Sequence, residues 1–268
     1  MAVSAVSSRR PLTVATVLAA ATLVTWIVTI ERMRGMDAGP GTDLGAPLWF
    51  VGVWVTMMAA MMLPSVAPMV LLYARISRVR NRAARASQSI AVFLCGYFLA
   101  WTAYGLVAYG LFRLLSAFDF RVLRWDEGGP YVAGAAIAVA GVYQLTPLKS
   151  VCLRHCRSPL HFLLGGGWRN GNRGALEMGV THGAFCVGCC WGLMVILFAL
   201  GVMSIVWMAA VAGVIFAEKV LPFGERLVKP LAAVFVVVGC LVAFAPSSIP
   251  GLHQPGKAPA MQMGSPGP

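Results

Sequence analysis

The 268-residue chain is long enough for one or two soluble domains, yet its composition excludes them. Apolar residues make up 59% and charged residues 11%, where a soluble domain carries about a quarter charged. With a mean hydropathy of +0.79, such a chain is solvated mostly by lipid, and disorder, collagen and coiled coil are excluded with the soluble classes. A formal net charge of +12 would point to nucleic acid in a soluble protein. Here the placement of the charges decides its meaning.

A membrane helix needs about 20 mostly apolar residues. In chain order the candidates are Leu12–Ile30, Pro47–Tyr73, Ile90–Leu115, Tyr131–Thr146 and Ala175–Leu200. A sixth follows a turn at Gly201–Ser204 and runs to Ala217, and the seventh is Leu231–Ala245. The first has the basic start of a signal peptide, but its apolar run is long and no small-x-small cleavage site follows, so it reads as a retained helix. The Pro/Gly-rich stretch Pro250–Pro268 reads as a disordered tail. The expected organisation is an all-α polytopic membrane protein of about seven transmembrane helices. A short N-terminus (1–11) precedes one membrane domain (12–249), and the tail (250–268) follows.

The loops orient it. Arg9, Arg10, Arg75, Arg78, Arg80, Arg82, Arg85, Lys149, Arg154, Arg157, Arg169, Arg173, Lys219, Arg226 and Lys229 fall on one side; Arg32, Arg34, Arg113, Arg121, Arg124 and Lys257 fall on the other. The positive-inside rule places the N-terminus in the cytoplasm and the C-terminus outside. Counting the acids as well, the whole excess of +12 lies on the cytoplasmic face. The charge is an orientation signal, and the expected location is a bacterial cytoplasmic (inner) membrane, with lipid and not nucleic acid as the surrounding partner.

Buried carboxylates and lysines mark ion paths and proton relays, and the spans hold almost none: Glu177, Glu218 and Lys219 sit near span ends. The polar chemistry inside is soft. His182, Cys186 and Cys190 recur at four-residue spacing and share a helix face, with Cys189 beside Cys186. Thiolate and imidazole suit copper(I) or zinc. A single cysteine is a small buried hydrophobe, but three within five residues in register with a histidine favour a ligand set. Cys152 and Cys156, four apart in the basic loop after the fourth span, suggest a short interfacial helix with both thiols on one face. The bland alternative is a basic helix lying on anionic lipid. Nearby His155 and His161 read singly as solvated loop residues. A zinc ribbon is excluded because the second cysteine pair continues into a span.

In the second span, Met57, Met58, Met61 and Met62 precede Pro64, Ser65, Pro68 and Met69. Thioethers favour copper(I), although methionine alone is a common gap-filler. Pro64 and Pro68 each remove a backbone donor and predict a broken helix of the kind that lines membrane sites. At the helical rise, Cys186 lies about 16 Å from the cytoplasmic start of its span, and Met61 and Met62 lie at about the same depth. The candidate metal residues are therefore His182, Cys186, Cys189, Cys190, Cys152, Cys156, Met58, Met61 and Met62. Cys95 and Cys240 read as packing residues, and Gly179/Gly183 and Gly188/Gly192 have the spacing of close helix contacts. Seven cysteines, an odd number with none clearly on the outer side, argue against a disulfide framework.

Three motifs in order carry a resemblance: Met57-x-x-Ala60-Met61-Met62-x-Pro64-Ser65; Tyr143-Gln144-x-Thr146-Pro147-x-Lys149-x-x-Cys152-x-x-x-Cys156-Arg157-Ser158-Pro159; and His182-Gly183-x-x-Cys186-x-Gly188-Cys189-Cys190-Trp191. Over roughly Trp49 to Val242 the chain resembles an uncharacterised bacterial family of integral membrane proteins predicted to bind metal. The resemblance implies a polytopic fold and a metal site. It supplies neither a substrate nor catalytic residues. His253, Met261 and Met263 lie outside the motifs.

The expected function is handling of a soft metal, copper(I) ahead of zinc, by transport or as an intramembrane metallochaperone with a soluble donor or acceptor protein. Two alternatives stand beside it. Vicinal Cys189-Cys190 and the Cys152/Cys156 pair suit a membrane thiol-disulfide oxidoreductase. A metal-dependent membrane enzyme, or an assembly partner of one, would need an open coordination position.

Overall fold

Long apolar runs with few breakers fold as helices, and the breakers that are present fix where the helices stop. The computed structural model describes residues 2–34, 45–80, 83–117, 128–163, 168–200 and 204–248, and no strand occurs among them. In chain order the helices are α1 Ala2–Met33, α2 Pro47–Arg80, α3 Ala83–Ala117, α4 Gly129–Tyr143, α5 Pro147–Arg157, α6 Pro159–Phe162, α7 Gly171–Leu200, α8 Ile205–Val220 and α9 Gly224–Phe244, with a 3-10 turn at Pro246–Ser248. The turn expected at 201–203 and the tail 250–268 lie outside the described residues. The expected short N-terminus is helical from Ala2 onward and continuous with the first span.

Among the described residues, five segments are long and apolar enough to cross a membrane: Leu12–Met33, Pro47–Arg78, Ser87–Leu115, Gly171–Leu200 and Gly224–Phe244. The expected fourth span is a bent pair, with α5 turned 65° from α4. The expected sixth is α8, whose 16 residues reach about 24 Å, short of a hydrocarbon core of about 30 Å.

X-Pro steps set the breaks. The residue before a proline is pushed out of the α region, and Thr146 (φ −72°, ψ 148°) stands extended before Pro147. Its side chain accepts from the Lys149 backbone amide at 3.3 Å, and proline occupies the first turn, so α5 is capped as it begins. Leu221 (ψ 142°) ends α8 before Pro222 in the same way. Pro64 and Pro68 behave differently from expectation: α2 runs through both without a break. The Ser65 hydroxyl donates to the Met62 carbonyl at 3.0 Å there, and α2 is held along its length by α1, α3 and α8. Packing on several sides keeps a helix regular that proline would otherwise break.

The helices have readable directions. Tyr73 stacks on Phe93 near one end of the α2–α3 pair, while Trp54 donates to the Trp101 carbonyl (2.9 Å) towards the other, so α2 and α3 are antiparallel. Gly179 packs on the Phe93 backbone and Gly183 on Tyr97, while Tyr104 donates to the Trp191 carbonyl; α3 and α7 are therefore parallel. A Cβ on Gly179 would stand 2.1 Å from the Phe93 oxygen, so glycine is what permits this approach. Gly134 and Gly239 meet in the antiparallel α4–α9 pair. These rungs put Met61 and Met62, between Tyr73 and Trp54, at the level of Tyr97 and Cys186.

The interior holds more charge than the sequence reading expects. Lys149, Glu218 and Lys219 are buried. Lys149 Nζ pairs with Glu218 at 2.7 Å, each side chain 1% exposed, and also donates to Gln144. These residues belong to the bundle and not to loops. Lys149 lies in the first turn of α5 and Glu218 and Lys219 in the last turn of α8, positions that charge counting places at a membrane surface.

Candidate metal centre

α5 brings the two cysteine clusters together. The loop helix expected at the interface instead docks against the middle of α7, because the Thr146–Pro147 break turns it inward. Cys152 Sγ sits over Gly188, 2.7 Å from where a Cβ would stand. One turn on, Cys156 Sγ lies 3.7 Å from Cys189 Sγ. Cys189 Sγ is 3.4 Å from Cys190 Sγ and donates to the Cys186 carbonyl at 3.2 Å. Cys152, Cys186, Cys189 and Cys190 are buried, Cys156 is half-buried, and every cysteine is a free thiol.

Cys186 has partners that the motifs did not reveal. Lys219 Nζ of α8 donates to Cys186 Sγ at 2.8 Å, and the Tyr97 hydroxyl of α3 lies 2.9 Å from the same sulfur. α8 returns from the end of α7 just far enough to bring its last turn level with Cys186. Its shortness is thus what delivers the ammonium. The signal in the sequence was a Glu218-Lys219 pair closing an apolar segment of sub-span length.

His182 is buried one turn before Cys186, among Phe93, Tyr97 and Phe162, and its Nδ1 has no hydrogen-bond partner. A buried imidazole nitrogen without a partner is costly and suits a soft cation as acceptor. Met58, Met61 and Met62 are fully buried in the same core. Met62 Sδ accepts from Ser65 at 3.9 Å.

The donor set fits a soft metal pairwise. Two sulfurs bound tetrahedrally at about 2.3 Å stand roughly 3.8 Å apart, close to the Cys156–Cys189 and Cys189–Cys190 separations. Among the described residues, however, no three His, Cys, Asp or Glu side chains already stand in metal-binding geometry.

His155 is not a solvated loop residue: its ring stacks on Phe185 with centroids 4.1 Å apart. The His161 side chain lies outside the described residues. Cys95 and Cys240 are exposed and take no part in core packing.

No curated protein and no solved structure matches the chain. A family model does, over residues 51–242, most of the chain and all of the helices that build this centre, and its description is "PpoB2: Copper chaperone". The chain belongs to this copper chaperone family.

Proposed function

We propose that the protein handles copper(I) within the membrane, holding the ion on thiolates of α5 and α7 and passing it to a soluble or membrane-bound acceptor. The observation that carries this reading is the run of sulfurs from Cys156 to Cys189 to Cys190, at 3.7 and 3.4 Å, beside the buried Cys186. Thiolate and thioether donors select copper(I) among biological cations. Cys152 over Gly188, His182 with its orphaned nitrogen, and Met58, Met61 and Met62 at the same level complete the proposed ligand set. Zinc is the weaker choice because thioethers contribute little to it. Intramembrane chaperoning fits better than transport, since the family is one of copper chaperones.

The proposed setting is a bacterial inner membrane crossed by seven apolar segments, N-terminus inside and C-terminus outside. The bent α4–α5 pair and the short α8 count as two of the seven. Arg75, Arg78, Arg169 and Arg173 near the α2 and α7 ends that meet at Tyr73 and Trp168 support that orientation. It stands without Lys149 and Lys219, which are buried.

The experiment is metal analysis of the full-length protein, purified in detergent without chelator and reconstituted under reducing conditions with copper(I) or zinc. Wild type is expected to retain copper(I) stoichiometrically, and a Cys186/Cys189/Cys190→Ser variant to lose it. Equal, weak binding of both metals by both proteins refutes the proposal.

A further inference from the structure

A cavity of about 300 Å³ is lined by Val151, Arg154, His155, Ser158 and Phe162, along α5 and the start of α6. Two of these side chains also touch residues of α7 beside the cysteine centre. Phe162 packs edge-on against His182, with centroids 5.6 Å apart. His155 packs flat on Phe185, one residue before Cys186, and its own neighbour Cys156 reaches Cys189.

Two contacts orient the His155 ring. Its Nδ1 lies 3.1 Å from the Val151 carbonyl. A carbonyl only accepts, so Nδ1 carries the hydrogen, and in the neutral ring the lone pair is on Nε2. Metal-ligating histidines are set in this way, with the second nitrogen donating to a carbonyl that fixes tautomer and ring. The Phe185 ring beneath holds the plane of the imidazole. His155 is thus a pre-oriented soft donor at the boundary between an open cavity and a buried thiol cluster.

Building on the copper reading above, we propose that His155 is the receiving ligand of this protein: copper(I) arrives through the cavity, binds Nε2 of His155, and moves by ligand exchange to Cys156 and Cys189. The ion keeps its oxidation state throughout. The carrier's donor is released as His155 binds, and His155 is released as Cys156 and Cys189 bind as thiolates, their thiol protons passing to the freed His155 nitrogen and to water in the cavity. Exposed Arg154 on the cavity wall favours an anionic carrier, such as a copper(I) complex of a carboxylate-bearing thiol.

The test is stopped-flow loading of the full-length protein with the copper(I)–glutathione complex, alongside equilibrium titration of the same samples. His155→Phe keeps an aromatic ring on Phe185 and removes the nitrogen donor. The expected result is a loading rate lower by about tenfold or more, equivalent to about 1.4 kcal/mol of barrier, with unchanged final stoichiometry. His155→Met, which restores a soft donor, is expected to recover much of the rate. A wild-type rate in His155→Phe overturns the receiving role. So does a loss of bound copper at equilibrium, which would make His155 a resident ligand. Wild type that takes up no copper(I) overturns the copper reading itself, and the receiving role with it.

Discussion

Lys219 Nζ lies 2.8 Å from Cys186 Sγ, across the contact between α8 and α7. A buried ammonium needs an anionic or strongly polar partner. A sulfur that binds metal does so as thiolate. The pair therefore places a fixed positive charge where a thiolate–copper(I) cluster, which is net negative with two or more thiolates, has to be accommodated away from water. It also bonds one face of Cys186, so loading requires the side chain to yield.

Lys219→Met removes the charge and keeps most of the volume. A hydrogen bond to a charged group contributes about 1.5–3 kcal/mol, so copper(I) affinity is expected to fall by roughly ten- to a hundredfold. Competition against a chromophoric copper(I) chelator measures it. An affinity equal to or above wild type, with the protein still monodisperse, would mean that the ammonium only obstructs the sulfur.

The thiols predict an oxidation order. Cys156 and Cys189 lie on different helices with sulfurs 3.7 Å apart, so a modest rotation of either side chain permits a bond. Cys189 and Cys190 are adjacent on one helix, where the required dihedral strains the backbone. Mild diamide treatment is expected to form Cys156–Cys189 first, and prior copper(I) loading is expected to protect it. Peptide mapping under non-reducing conditions decides this. A first cross-link between Cys189 and Cys190, or the same rate with copper bound, contradicts the proposed arrangement.

Much of this was legible in the sequence, for identifiable reasons. The apolar runs located the helices, because lipid-solvated helices must be long and uncharged. The Cys186–Cys190 spacing located one face of the centre, because the helical repeat fixes which side chains align. What stayed hidden depends on contacts between segments. Sequence places Cys156 in a basic loop, and only the inward turn after Thr146 brings it to Cys189. Lys149, Glu218 and Lys219 read locally as charges at span ends and in loops, because nothing local distinguishes an exposed charge at a helix end from one paired inside a bundle. Pro64 and Pro68 suggested a break by local rules, which the neighbours of α2 override.

Glycine substitutions separate fold from site. Gly179→Ala places a Cβ 2.1 Å from the Phe93 carbonyl oxygen. Backbone cannot step aside cheaply, so α3 and α7 must part. The expected loss is about 1–3 kcal/mol or more, visible as a lower thermal midpoint in detergent. Gly188→Ala meets only the Cys152 side chain, at 2.7 Å from Sγ. That sulfur can rotate away. The expected outcome is a near-wild-type midpoint with weakened copper(I) binding, since Cys152 is turned from the cluster. Equal destabilisation by both variants would show Gly188 to be a packing residue alone.

The Lys149–Glu218 pair gives the sharpest stability test. Both side chains are 1% exposed and 2.7 Å apart, and Lys149 also donates to Gln144. Arg157 donates to the Glu218 backbone carbonyl and, at 3.2 Å, to that of Pro222, so α5 is tied to the end of α8 at two levels. Glu218 Oε1 and Gln144 Nε2 remain without partners, so the network is already incompletely satisfied and has little tolerance for a further loss. Removing one member leaves a lone buried charge, which costs about 3–5 kcal/mol. Removing both members leaves apolar volume and restores most of that. Lys149→Met and Glu218→Met should each lower the thermal midpoint by roughly 10 °C for a chain of this size, while the double variant should lie much nearer wild type. The double variant should also load copper(I) more slowly, because the same pair anchors α5, and through it Cys152 and Cys156, against α8. Additive losses in the double variant would show that the two residues do not act as a pair, and unaltered loading would show that the anchor does not position the thiols.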